Sequence, residues 1–319
     1  MEAGPIKLLK LLGENKNTFN IPVYQRNYEW NKEQVEQFFK DIVNIIEDNY
    51  EIRHFLGTVV FVSNEKPGLM MERIIIDGQQ RITTTILLLK AIYDLLDEND
   101  CFKNEIYETY IINKYVEDEY KLKLKPVEGD MQAFVDLMNE SPTIKESKIF
   151  TNYSLFVDLI ERSNYSAREI YEALSLVEIV YISLDRNSKK ENPQIIFESL
   201  NSTGLSLTEA DLIRNFILMG LSYDEQTRLY KKYWLEIEKM LPNVKISEFV
   251  RDYLTMKTGH TPNKNKVYFE FKKNYFKNSY TSENILKDLL KYARYYYWFI
   301  NVNTNDNEIN KWLEKLNYM

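Results

Sequence analysis

Apolar, β-branched-rich runs at Thr18–Val23, His54–Val62, 70–76 and Leu176–Leu184 interrupt a chain that otherwise repeats its hydrophobic positions at helical spacing. Each run has strand length, and Ile74-Ile75-Ile76 has the unbroken character of a strand covered on both faces. Glu65 to Gly68 reads as the turn of a hairpin joining the second and third runs. Between the runs, Ile6, Leu8, Leu9, Leu11 and Leu12 predict a short helix from Pro5 to Leu12. Asn31 with Gln34 forms a capping pair that opens a helix reaching about residue 50. Leu87, Leu88, Leu89, Ile92, Leu95 and Leu96 give a broad apolar face to a helix from Ile82 to about 97.

Because the fourth run returns after a long helical stretch, residues 97 to 174 are expected to be an insertion and 177 to 184 to rejoin the first sheet. Within that insertion Lys121-Leu122-Lys123-Leu124-Lys125-Pro126 alternates as a short strand or extended link would. Its lysines suit a solvated edge better than a nucleic-acid contact. Beyond about Gly220 the pattern is helical only, and Tyr295-Tyr296-Tyr297-Trp298 is expected to be a buried or interface stripe. The predicted fold class is α+β: a small mixed sheet with surrounding helices over 1–220, and an α-helical region over 221–319.

The chemistry concentrates where the third run ends, at Asp77-Gly78-Gln79-Gln80-Arg81. Strand, glycine turn and helix N-terminus form a geometry that binds anions, because the first turn of a helix leaves N–H groups unpaired. Gly78 would let a phosphate approach the backbone. Arg81 offers it a two-pronged donor, Asp77 a ligand for a divalent cation, and Gln79 and Gln80 further donors. The alternative is a helix capped by Asp77 with Arg81 in solvent.

Two other boxes stand out. Gln25-Arg26-Asn27-Tyr28-Glu29-Trp30 follows the first run, with Gln25 and Arg26 as polar candidates at a strand end and Tyr28 and Trp30 as packing residues. Phe197 to Asn215 reads as helix, glycine turn, helix, with Thr208 and Asp211 as a capping pair. Asp211, Arg214 and Asn215 share one face there, either as a structural ion pair or as ligand contacts. His54 is expected to be a hydrogen-bonded strand-edge histidine.

Together these boxes resemble the N-terminal domain of GmrSD-type modification-dependent restriction endonucleases: DGQQR at 77–81, QR-x-Y-x-W at 25–30, and F-x-x-LN…DL-x-R at 197–214. The resemblance covers residues about 6 to 220 and implies a fold similar to ParB and sulfiredoxin. It further implies a nucleoside triphosphate with Mg²⁺, bound and hydrolysed at the loop. On that reading Asp77, Gln80 and Arg81 are catalytic, with Asp77 on the metal, and Gln25, Arg26, Gly78, Gln79, Asn201 and Arg214 bind the nucleotide. Sulfiredoxin-like reductase chemistry does not fit, since Gln79 and Gln80 stand where a thiol would be needed.

Composition narrows the partners. A net charge of −7 argues against a surface built for strong nonspecific DNA binding. One cysteine excludes an internal disulfide framework, and two histidines exclude a His-rich metal centre. No leader or membrane-length apolar run is visible, so a cytoplasmic protein is expected. Relatives are expected to carry a C-terminal His-Asn-His nuclease domain that nothing here supplies, His260 standing alone. The expectation is a truncated chain or a stand-alone sensor half. Its partners would be nucleotide, DNA that carries modified bases in some cases, a separate or C-terminal nuclease, and in some settings further copies of itself.

Overall fold

A computed structural model describes residues 1–51, 54–66, 70–114, 121–139, 146–184, 193–201, 207–304 and 306–317. The chain divides into two compact units, Met1–Pro193 and Gln194–Met319. The division falls ahead of the third box, which the sequence grouped with the first two.

The first unit is built on one mixed sheet of β1 (Glu2–Lys7), β2 (Asn17–Asn20), β3 (Phe55–Lys66), β4 (Met70–Asp77), β5 (Leu124–Lys125) and β6 (Glu178–Leu184), in the order β1-β6-β3-β4-β2-β5. The four expected strands are all present. β6 returns to the same sheet by pairing parallel with β3, as the insertion argument requires. β3 and β4 form the expected antiparallel hairpin, whose turn lies outside the described residues.

Two elements differ from expectation. Residues 5 to 7 belong to β1, with Pro5 opposite Val180, and the helix starts only at Leu8. Proline is tolerated there because β1 is an edge strand. Lys123 is buried rather than solvated. Its amine donates to the carbonyls of Leu12 at 3.1 Å and Glu14 at 2.9 Å, and burial pushes it down to about 8.

Among the described residues seven α-helices accompany the sheet: α1 (Leu8–Gly13), α2 (Lys32–Glu47), α3 (Gln79–Leu95), α4 (Cys101–Ile106), α5 (Glu128–Met138), α6 (Lys148–Arg162) and α7 (Ala167–Leu174). The Asn31–Gln34 capping box of α2 is present. α3 begins at Gln79, three residues earlier than the apolar pattern indicated, and packs against α6 and α7. Buried Ile82, Ile86, Leu87 and Leu89 join Val59, Phe61 and Ile75 of the sheet in one core.

The second unit is helical: α8 (Pro193–Asn201), α9 (Glu209–Leu218), α10 (Tyr223–Leu229), α11 (Leu235–Met240), α12 (Asn243–Thr258), α13 (Val267–Lys277), α14 (Ser282–Asn301) and α15 (Asn307–Asn317). A π-helical turn at Tyr230–Trp234 joins α10 to α11. Phe197, Ile213, Trp234, Phe249 and Leu286 are among its buried apolar residues. Among the described residues no helix is long and apolar enough to cross a membrane.

Candidate functional site

β2 and β4 run parallel, Asn20 opposite Ile74, so the segments leaving their C-terminal ends emerge on the same side of the sheet. β3 is antiparallel to β4, and its N-terminal end returns to that place, with Val60 opposite Asp77. This topology brings the second box, the 77–81 loop and residues 57 and 58 together.

The turn at Gly78 requires glycine for two reasons. Its φ is +95°, and an added Cβ would come within 3.0 Å of Val59 Cγ2 and 3.2 Å of both Thr58 O and Val59 Cα. The space a side chain would fill is occupied by β3. Gly78 is the N-cap of α3 and has no side chain to offer it, while the Asp77 carboxylate accepts from the Gly78 backbone amide.

The amides of the loop bind the two boxes to each other. Gln25 Nε2 donates to the Ile76 carbonyl at 3.0 Å, and Gln79 Nε2 donates to Gln25 Oε1 at 3.2 Å. Gln80 Nε2 donates to Asn27 O at 3.1 Å while its Oε1 accepts from the Glu29 amide at 2.7 Å. All three are buried. Each end of the Gln80 amide thus makes one hydrogen bond to the second box and ties it to the loop. Tyr28 packs as expected, its hydroxyl 2.7 Å from Thr84 Oγ1 and accepting from Asn152 Nδ2 at 3.2 Å.

Asp77 lies beside the Arg81 guanidinium. Arg81 Nη1 is 3.8 Å from Asp77 Oδ2 and donates to Thr58 O at 3.0 Å. The Arg81 guanidinium lies on Gly57, φ +105°, where a Cβ would meet its Cζ, Nε and Nη2 at 3.3 Å. Burial pushes the Asp77 carboxyl above the usual aspartate range. The charge of Arg81, the Gly78 amide and the charge of Arg26 oppose that rise. The Nε of Arg26 is buried and has no hydrogen-bond partner. Gly57 and Thr58 escaped the sequence reading; the glycine inside an otherwise apolar strand was the available signal.

The donor set does not fit a resident metal. Asp77 is one carboxylate facing two cations, and among the described residues no group of three or more His, Cys, Asp or Glu is placed to hold one. A divalent cation at this site would belong to the nucleotide that carries it.

His54 Nε2 is 3.3 Å from Asp41 Oδ2, the structural role expected of it. The third box lies in the second unit. Thr208 and Asp211 form the expected capping box on α9. Arg214 is buried between Asp211 Oδ1 at 2.9 Å and Glu238 Oε1 at 2.5 Å, and Glu238 also accepts from Tyr230 and Trp234. Asn201 ends α8; its side chain, like the glycine turn at 202–206, lies outside the described residues.

The family model described as the GmrSD restriction endonuclease N-terminal domain matches residues 8–218. The chain belongs to that family. The match takes in β2 to β6, the three boxes and α1 to α9, and leaves β1 and the helices beyond residue 218 outside it. An uncharacterised protein of Methanocaldococcus jannaschii is 26% identical to this GmrSD-type chain, over 60% of this chain and 38% of the relative. The chain therefore spans well under half the length of the curated relative it matches.

Proposed function

We propose that this GmrSD-type domain binds a nucleoside triphosphate at the 77–81 loop and hydrolyses it, as the regulatory part of a system that restricts modified DNA. The observation that carries the reading is the buried, unpartnered Nε of Arg26. A buried guanidinium nitrogen with its donor unsatisfied, in the box that Gln25 and Gln79 tie to the start of α3, calls for an oxyanion.

On this reading Arg26 and Arg81 hold phosphate oxygens, with the first-turn amides of α3 supplying neutral donors. Asp77 is the proton acceptor for the attacking water. A carboxyl raised by burial is a better base near neutral pH than an ordinary aspartate, and phosphate engagement of the two arginines draws their charge away from it. Gln25, Gln79 and Gln80 act at one remove by holding Arg26 against the loop. Phosphate release measured for the four common triphosphates, with and without DNA, tests the reading; release that Asp77→Asn leaves unchanged would remove Asp77 from the chemistry.

A second reading is a nucleotide-dependent DNA-binding switch that hydrolyses slowly. It is favoured by the engagement of Gln80 at both its Nε2 and its Oε1, which leaves that amide one N–H and one lone pair for other partners. Under that reading bound nucleotide changes DNA affinity while turnover stays negligible.

A further inference from the structure

Of the stripe expected to be buried or at an interface, Tyr296 and Tyr297 are half-buried and the other two residues face solvent. Tyr295 is 47% and Trp298 38% exposed, their ring centroids 5.7 Å apart at the C-terminal half of α14. They continue a line of side chains at Lys287, Lys291 and Arg294, whose spacing of four, three and four residues places all of these on one face of the helix. The opposite face, with Ile285, Leu286, Leu289, Leu290 and Ala293, is buried. The exposed face lines an open groove of about 950 Å³, to which Lys232 and Lys257 also contribute.

The charge in this groove runs against that of the chain. Five basic side chains and one acid, Asp288, line it in a protein of net charge −7. The acid is spent internally: Asp288 Oδ2 is 2.8 Å from Lys257 Nζ and accepts from Tyr253 Oη at 2.6 Å. The neighbouring Glu283 is likewise held by Arg228, Lys232 and Tyr233. Among the described residues Lys287, Lys291 and Arg294 have no carboxylate partner, and all three are exposed. Unpaired cations interleaved with solvent-facing rings form the composition that takes a polyanion whose repeating units also carry flat faces.

We propose that this groove along α14 binds a single strand of nucleic acid, with phosphates on Lys287, Lys291 and Arg294 and bases against Tyr295 and Trp298. A duplex would meet the charges but leave the rings without unpaired bases to cover. The inference goes beyond the triphosphate site and stands without it, since every residue it uses lies in the second unit.

The test is fluorescence anisotropy of a short labelled thymidine strand titrated with the full chain over a series of salt concentrations. Charge reversal at Lys287→Glu, Lys291→Glu and Arg294→Glu together weakens binding about tenfold or more. It also lowers the salt slope by about 2, at about 0.7 per phosphate contact. Trp298→Ala weakens single-strand binding roughly 5- to 150-fold and leaves duplex binding unchanged. Arg81→Ala leaves both unchanged, which separates this groove from the nucleotide loop. Circular dichroism verifies that the variants keep their helices. Failure of the wild-type chain to bind, or binding that survives the triple reversal, overturns the proposal. Displacement of the strand by polyglutamate of equal charge overturns it too, in favour of an acidic protein partner.

Discussion

Gly78→Ala separates the two jobs a loop glycine can have. At φ +95° an alanine would sit in the left-handed region, which costs about 1–2 kcal/mol for an L-residue. The new Cβ would lie 3.0 Å from a valine methyl and 3.2 Å from two backbone atoms of β3, and relieving that crowding means moving the β3 backbone. Overpacking of this kind costs roughly 1–3 kcal/mol. The two effects together come to about 2–5 kcal/mol, a large part of the stability of an ordinary domain at about 5–15 kcal/mol. Because the chain has two units, a single unfolding midpoint can mix them. Hydrogen exchange of the β4 and α3 amides with increasing urea reads the first unit directly. Gly78→Ala should lose protection there by the stated amount and leave α12 and α14 as they are. A variant within about 0.5 kcal/mol of the parent, the range of an ordinary surface substitution, would refute the argument that β3 occupies the space beside Gly78.

Other outcomes follow from the same geometry. Gly57→Ala puts an L-residue at φ +105°, which costs about 1–2 kcal/mol, and a methyl against the Arg81 guanidinium, so anion affinity should fall in addition to that loss of stability; isothermal titration with triphosphate alongside urea unfolding separates the two. Arg214→Ala strands Asp211 and Glu238 in a buried cluster and should destabilise the second unit by about 3–5 kcal/mol, read as lost protection in α9 and α11. A loss of nucleotide affinity without that destabilisation would return Arg214 to the ligand site. Asp130 accepts the Tyr28 amide at 2.6 Å, and burial pushes its carboxyl up to about 6. The folded chain then keeps a proton that the unfolded chain has released, so stability falls as pH rises from about 4 to about 6. Asp130→Asn should flatten urea stability across that window, and an unchanged pH profile would contradict the assignment.

Much of the fold was legible because it was written locally. Strand runs, the capping boxes at Asn31 and Thr208, and the helical repeat beyond 220 depend on residues within a few positions of one another. The return of β6 to the first sheet followed from its apolar pattern and needed no partner to be known. What escaped depends on distant neighbours. Residues 5 to 7 join β1 because β6 offers an edge, and Lys123 is buried because the carbonyls of Leu12 and Glu14 satisfy its amine. The DGQQR and QR boxes were recognisable as chemistry, but the division of labour inside them was not. Sequence offered the glutamines as nucleotide contacts and gave no sign that their amides also cross-link the boxes, because those partners lie some fifty residues away. The face of α14 was left open between buried and interface, because the run of aromatics does not say which of them turn to the core.

The most direct test of the account is isothermal titration of the four nucleoside triphosphates, with Mg²⁺, into the parent chain, Arg26→Ala and Arg81→Ala. Charge-assisted contacts of a guanidinium with phosphate contribute about 1.5–3 kcal/mol each, so either variant should bind the preferred triphosphate roughly 10- to 150-fold more weakly. No binding of any triphosphate by the parent chain, or equal affinity in all three proteins, would contradict it.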